Sequence, residues 1–403
     1  MRTTPRSDLA VRFMALDTQL MRYRAFWQCQ PFHWHDVCWR NQHPDLCAAL
    51  DQLSLPQLLD DEDMTARARW LAPWLADAEQ VQRLTYLPRL QPQLTELPAG
   101  LSTFVPGRKW QQIRCFEAAT ADYALPFMEW CAGKGHLGRL LGWRRQQPVV
   151  ALEWQRELCQ VGQTLARRSH VDQQFVCADV LAEESNHYLC QQQHAVALHA
   201  CGDLHVALLE RGVAAGVSTI TLSPCCYHLS RQQPYRPLSV LAQASKLQLT
   251  RSDLRLAVQE TVTAGARERR LRNTELTWRL AFDLLQRRLR DQDNYLPLPA
   301  IPRHLLSGDY RVFVDWALEL KGLLHAKPDT DTVAKSLVDG AGRLPVVARM
   351  EWVRQLFRRP LELWLVLDRA CYLEEQGYDV KVSEFCDRTL TPRNLLIEAR
   401  RRH

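Results

Sequence analysis

Three acids and three glycines carry the first chemistry legible in this chain. In Pro126-Phe-Met-Glu-Trp-Cys-Ala-Gly-Lys-Gly-His-Leu-Gly138 a short apolar run holding one acid, Glu129, leads into Gly133, Gly135 and Gly138. Leu137, Leu140 and Leu141 then fall at helical spacing. The pattern predicts a buried strand, a tight turn and a helix. Backbone amides at such a helix start, unhindered by side chains, suit a nucleotide-bearing cofactor.

Two cofactor classes compete for the turn. Gly133, Gly135 and Gly138 spell the G-x-G-x-x-G of a dinucleotide site, which makes an NAD-dependent oxidoreductase one reading. Counted from Glu129, the same stretch is acid-x-Cys131-x-Gly133-x-Gly135, the acid-x-Gly-x-Gly-x-Gly pattern of S-adenosylmethionine (SAM) sites with Cys131 in the first glycine's place. The acid discriminates. A carboxylate inside the first strand has no role under a pyrophosphate, whereas at the strand tip it faces the cationic methionine end of SAM. Pro148–Glu153 reads as a second strand whose terminal acid accepts from ribose hydroxyls, and Gln174–Asp179 as a third whose acid meets the adenine amino group. Acids at all three tips favour SAM, held by Glu129, Cys131, Gly133, Gly135, Glu153 and Asp179.

A fourth strand, Ala195–His199, leads to Cys201 and Asp203; a fifth, Val217–Leu222, leads to Ser223-Pro-Cys-Cys-Tyr-His228. In a doubly wound sheet these tips converge beside the bound ligand, so His199, Asp203, Cys225, Tyr227 and His228 form the expected catalytic set. Histidine, with an ordinary pKa of about 6.5, suits proton removal at neutral pH. His228 is the expected base and Asp203 its orienter. The cysteines have three readings: buried small residues, zinc ligands with His199, or nucleophiles. Burial is preferred, because consecutive Cys225 and Cys226 point apart in extended chain, and no metal is assigned.

The elements that position these residues follow from the rest of the chain. Its 403 residues, 46% hydrophobic and 24% charged, are ordinary for a globular protein of two or three domains. No apolar run is long enough to span a bilayer and the first residues lack a signal peptide's apolar stretch, so the expectation is a cytoplasmic protein without membrane association. Thirteen irregularly spaced cysteines read as reduced thiols. Residues 1–105 read as a helical module, 106–230 as the cofactor-binding core, 231–345 as a mainly helical insertion and 346–403 as a helix and hairpin completing the sheet. Within the first module Cys29, His33, His35, Cys38, His43 and Cys47 crowd together; their spacing matches no standard zinc finger, and interleaved aromatics favour a structural role. Residues 107–113 form the lead-in helix to the cleft, carrying Lys109. A long helix from Gln259 to about Asn294 has an apolar stripe of Leu271, Trp278, Phe282, Leu285 and Leu289. Arg269, Arg272, Arg279, Arg287 and Arg290 occupy the other face, where they either track a phosphate backbone or pair with acids such as Asp283. Near the end, Tyr378–Ser383 and Asn394–Ala399 alternate and, so closely joined, must be antiparallel.

Four segments together, Cys131–Gly138, His199-Ala-Cys-Gly-Asp203, Pro224-Cys-Cys-Tyr-His228 and Leu390-Thr-Pro-Arg-Asn394, resemble a family of methyltransferase-like proteins related to the eukaryotic tRNA acceptor-stem 2′-O-methyltransferase. The resemblance covers residues 105–230 and 345–400; Tyr227 and His228 stand where that enzyme has paired histidines. It implies an α/β fold with a Rossmann-like seven-stranded sheet, SAM as cofactor, and an RNA acceptor, tRNA-like first, met by Arg269, Arg272, Arg287 and Arg290. A protein or small-molecule acceptor is the alternative.

Overall fold

Seven strands make one sheet in the order β3-β2-β1-β4-β5-β7-β6. They are β1 Phe127–Trp130, β2 Val149–Glu153, β3 Gln173–Cys177, β4 His194–Cys201, β5 Thr219–Cys225, β6 Tyr378–Glu384 and β7 Leu395–Arg401. The computed structural model describes residues 7–59, 63–91, 94–259, 266–326 and 328–402; the side chains of Ala99, Ala266 and Arg269 are outside the described residues. The first five strands are mutually parallel, and β7 runs antiparallel between β5 and β6. This is the expected α/β, Rossmann-like arrangement with its closing hairpin.

Burial follows position in the sheet. Every residue of β1 and of β5 is buried, as parallel strands covered on both faces require. In β7 Leu395, Leu396 and Ile397 are all buried because β5 and β6 flank it, while edge strand β6 keeps Asp379 and Lys381 exposed. Phe116, Leu137, Leu140, Val149, Val196 and Leu396 join one hydrophobic cluster that seats the helices Gly107–Ala119 and His136–Arg145 on the sheet. β5 runs three residues past its expected end at Leu222, through Ser223, Pro224 and Cys225. Pro224 is tolerated because the ladder to β7 stops at the Leu222–Ile397 pair, so its missing N–H breaks no bond on that side.

The chain divides into two compact units, Met1–Arg22 with Glu79–Val262 and Arg358–His403, and Tyr23–Ala78 with Thr263–Phe357. The stretch 1–105 is therefore not one module. Helix Asp8–Arg22 packs on helix Arg358–Glu375, with the Phe13 and Trp364 rings 5.1 Å apart and Trp364 Nε1 donating to Asp17 at 2.9 Å. Residues from Glu79 onward join the same unit, where the Leu90 amide donates to Glu384 O at 2.9 Å.

The second unit is helical. Its helices Ala266–Arg290 and Tyr310–Leu320 bury Trp278, Phe282 and Leu285 against Phe313 and Val314, the stripe expected from spacing. Among the described residues this helix covers Ala266–Arg290 and ends before the expected Asn294; residues 260–265 are outside those described. Among the described residues no helix is long and apolar enough to cross a membrane.

Candidate cofactor and catalytic site

The turn after β1 is built on left-handed backbone. Cys131, Gly133 and Gly135 have φ of 57°, 58° and 61°. Only glycine adopts these angles without strain, so Cys131 in the first position is held there by its surroundings. A side chain at Gly133 would meet nothing within 4 Å, so the space above this residue is open. Its amide donates to Glu153 Oε2 at 2.9 Å, and the Gln155 amide donates to Glu153 Oε1 at 2.9 Å. One carboxylate thus joins the tips of β1 and β2. Asp179 lies exposed beyond β3, its Oδ1 accepting the Leu181 amide at 2.9 Å.

Glu129 stands elsewhere than expected. It is buried beneath the turn, where Oε2 accepts the Gly138 amide at 3.0 Å and Gln173 Nε2 at 3.3 Å, and burial pushes its carboxyl up to about 8. Gly138 allows this, since a Cβ there would collide with the carboxyl oxygen. The acid braces the turn from below instead of facing the cleft.

Two residues of this region escape motif reading. Gln173, the buried first residue of β3, donates to Gly135 O at 3.1 Å and fixes the turn. Trp154, directly after Glu153, is 70% exposed and offers a flat apolar face. An aromatic following a strand-ending acid is the signal that could have found it. An open glycine turn, carboxylates at two adjacent strand tips and an unburied indole beside them fit a nucleoside-bearing cofactor.

At the next two tips backbone strain recurs: φ is 66° at His199, 54° at Gly202 and 49° at Cys226. His199 Nε2 bonds Gln112 Oε1 at 3.0 Å, and Gln112 Nε2 donates to Leu390 O at 3.3 Å, so the lead-in helix Gly107–Ala119 reaches the site through Gln112. Burial, then the charge of Lys109, holds the His199 ring below its ordinary pKa. The sulfurs of Cys201, Cys225 and Cys226 lie within 4.8 Å of one another, with Cys201 and Cys225 3.4 Å apart. Contacts with Cys201 and then Cys225 hold the Cys226 thiol far below the usual range, while Cys225 is driven up by Cys201, then Cys226, then burial.

The expected His228–Asp203 pair is not formed. Asp203 begins helix Asp203–Ala214, where its Oδ2 accepts the Arg231 amide at 2.7 Å, and it lines a cavity of about 240 Å³ with Tyr227, Arg231 and Arg369. His228 Nδ1 is buried without a hydrogen-bond partner. Tyr227 belongs to the core: fully buried, it donates to Pro224 O at 3.3 Å and packs against the Arg369 guanidinium, 5.0 Å from its ring centre. Burial drives its hydroxyl well above the usual range.

In the helical unit the expected arginine face is partly consumed. Arg287 is buried, paired with Asp283 at 3.0 Å and Asp293 at 2.5 Å, and Arg290 donates to Gln286 at 2.5 Å. Arg272 is engaged as well, and the side chain of Arg269 is outside the described residues. The Cys/His run near the start does not converge: Cys38 meets Cys29 at 2.6 Å, His35 meets Asp293, and the His43 ring packs 4.7 Å from Phe26.

Residues 109–233 match the family model described as a methyltransferase domain. That match supports a methyltransferase. The matched stretch runs from the lead-in helix through β5 and contains every expected cofactor and catalytic residue. Among solved structures the chain is similar to WbdD, seen with an ordered C-terminal bundle, at 15% identity over 34% of this chain and 30% of that one, with a TM-score of 0.22. It is also similar to an uncharacterized protein from Listeria monocytogenes serotype 4b, at 14% identity over 60% of this chain and 100% of that one, with a TM-score of 0.24. The chain thus spans 30% of the WbdD chain. It matches no curated protein.

Proposed function

We propose that this protein is a SAM-dependent methyltransferase whose acceptor is RNA, tRNA-like first. The observation that carries the cofactor reading is the open glycine turn tied to Glu153 on a sheet whose last hairpin inserts β7 antiparallel beside β5. A dinucleotide domain has no need of that hairpin, so the oxidoreductase reading is set aside. The cofactor brings a methyl group on a good leaving group. Glu153 accepts hydrogen bonds from its ribose, Asp179 binds its adenine amino group, Trp154 covers the base, and Cys131, Gly133 and Gly135 let the backbone approach closely.

The chain's remaining task is to align the acceptor and take its proton. We assign this to His199 in place of His228. Because Gln112 Nε2 donates to Leu390 O, its Oε1 faces His199, which makes Nε2 the N–H and leaves the Nδ1 lone pair to accept. RNA as acceptor rests on the family resemblance. The internal pairing of Arg287 and Arg290 favours the second reading, a protein or small-molecule acceptor, because spent guanidinium groups do not bind phosphates.

Transfer of labelled methyl from SAM into cell extract, followed by ribonuclease or protease, tests both parts. Label released by ribonuclease supports RNA; label in protein or in small molecules selects the second reading. His199→Ala is expected to cut transfer about a hundredfold or more while cofactor affinity stays within a few-fold.

A further inference from the structure

We propose that Cys201, Cys225 and Cys226 hold a zinc ion at the ends of β4 and β5, with His228 as its fourth ligand. Cys201 and Cys225 are register partners on these strands. Their sulfurs are 3.4 Å apart and the Cys226 sulfur completes a triangle with no side above 4.8 Å. Zn–S bonds of about 2.3 Å in a tetrahedron put sulfurs about 3.8 Å from one another, so an ion fits with shifts of no more than about 1 Å.

The backbone explains how consecutive cysteines face one point. In extended chain Cys225 and Cys226 would point to opposite faces of the sheet. Cys226 instead takes φ 49°, a left-handed conformation that turns its side chain back beside Cys225. Such strain persists where something fixes it, and three thiols bonded only to one another and to carbonyls are poor compensation. The β4–β5 ladder is irregular between Leu198 and Cys201, so the tips lack continuous pairing where a metal would clamp them.

The proposed fourth donor, His228, is on the same turn, which the Leu229 amide closes onto Cys226 O at 2.8 Å; its ring nitrogens do not all lie within the 4.8 Å that encloses the three sulfurs, so the ring must swing inward to ligate. His228 Nδ1 is buried without a partner, an arrangement that metal ligation would satisfy. Thiolates with one imidazole select zinc among common divalent ions. On binding, every thiol still protonated releases its proton to solvent, all three sulfurs ligate as thiolates and the imidazole ligates neutral. The ion fixes the tips carrying His199, which stays outside the ligand set.

The full chain, purified without a polyhistidine tag, is expected to carry one zinc per molecule by elemental mass spectrometry. Cys225→Ser and Cys226→Ser should lose most of it, His228→Gln should give it up to a chelator at least tenfold faster, and Tyr227→Phe should keep it. If the serine variants fail to fold, cobalt loaded into the wild-type chain serves instead, with thiolate-to-cobalt charge-transfer bands and a tetrahedral spectrum expected. A chain that holds no zinc and takes up neither metal overturns the site, as does mass spectrometry showing a Cys201–Cys225 disulfide. Unchanged chelator release from His228→Gln overturns the fourth ligand.

Discussion

The Gly133 amide and the Glu153 carboxylate meet at 2.9 Å, so the residue proposed to accept a cofactor's ribose also sets the shape of the glycine turn. Glu153→Ala therefore removes two supports at once. Losing hydrogen bonds to a charged group costs about 1.5–3 kcal/mol, so cofactor affinity should fall about ten- to a hundredfold by calorimetry. Glu153→Gln, which keeps an acceptor for the Gly133 amide, should fall less.

Glu129 gives a stability signature in the cofactor-free protein. Its carboxyl is pushed up to about 8 by burial, from an ordinary value near 4.5. The folded chain thus holds a proton that the unfolded chain has released. The associated stability is fully present below the unfolded value and is lost as pH rises through the folded one. Glu129→Gln should flatten the decline in urea midpoint between about pH 5 and 8. An unchanged slope would show that Glu129 is ionised in the folded protein.

Buried histidines act in the opposite sense. Burial brings His136 and His194 down to about 3 and His205 well below its ordinary value. Stability present above the unfolded histidine value is lost as pH falls from about 6.5, at roughly 1.4 kcal/mol per pH unit for each proton taken up. Three such groups outweigh Glu129 there, so maximum stability is expected near neutrality. His194→Gln, which can still bond Thr221, should make the acid limb shallower in denaturant titrations at pH 5 and pH 7.

Tyr227 separates core from catalysis. Its hydroxyl donates only to the nearby Pro224 carbonyl at 3.3 Å, a long bond. Tyr227→Phe should keep methyl transfer within a few-fold, with stability changed by about 1 kcal/mol. A dead but folded variant would return the hydroxyl to the reaction.

Much of this was legible in the residues because strand tips announce themselves. Glu153 and Asp179 each end an apolar run, and Gly133 and Gly135 mark a turn whichever cofactor they serve. The burial of Glu129 was not legible, since it depends on helix His136–Arg145 settling onto the carboxyl at a position where Gly138 has no side chain. The fifth strand read as ending at Leu222, before Pro224, whereas it continues to Cys225, because only the sheet shows where the β7 ladder stops. The pairing of Arg287 with Asp283 was one of two readings that helical spacing left open, whereas its second partner, Asp293, lies beyond the helix end where spacing gives no signal. Helix Asp8–Arg22 looked like part of a local module, although its partner, helix Arg358–Glu375, lies more than three hundred residues along the chain.

The central claim is that the turn between Cys131 and Gly135 takes SAM. Calorimetry of S-adenosylhomocysteine and NAD, side by side, on the wild-type chain and on Gly133→Val tests it most directly. The valine occupies the open space above the turn at φ 58°. The account predicts binding of the homocysteine product by the wild type, at least about tenfold weaker binding by the variant, and none of NAD. Tight NAD binding without binding of S-adenosylhomocysteine would contradict it.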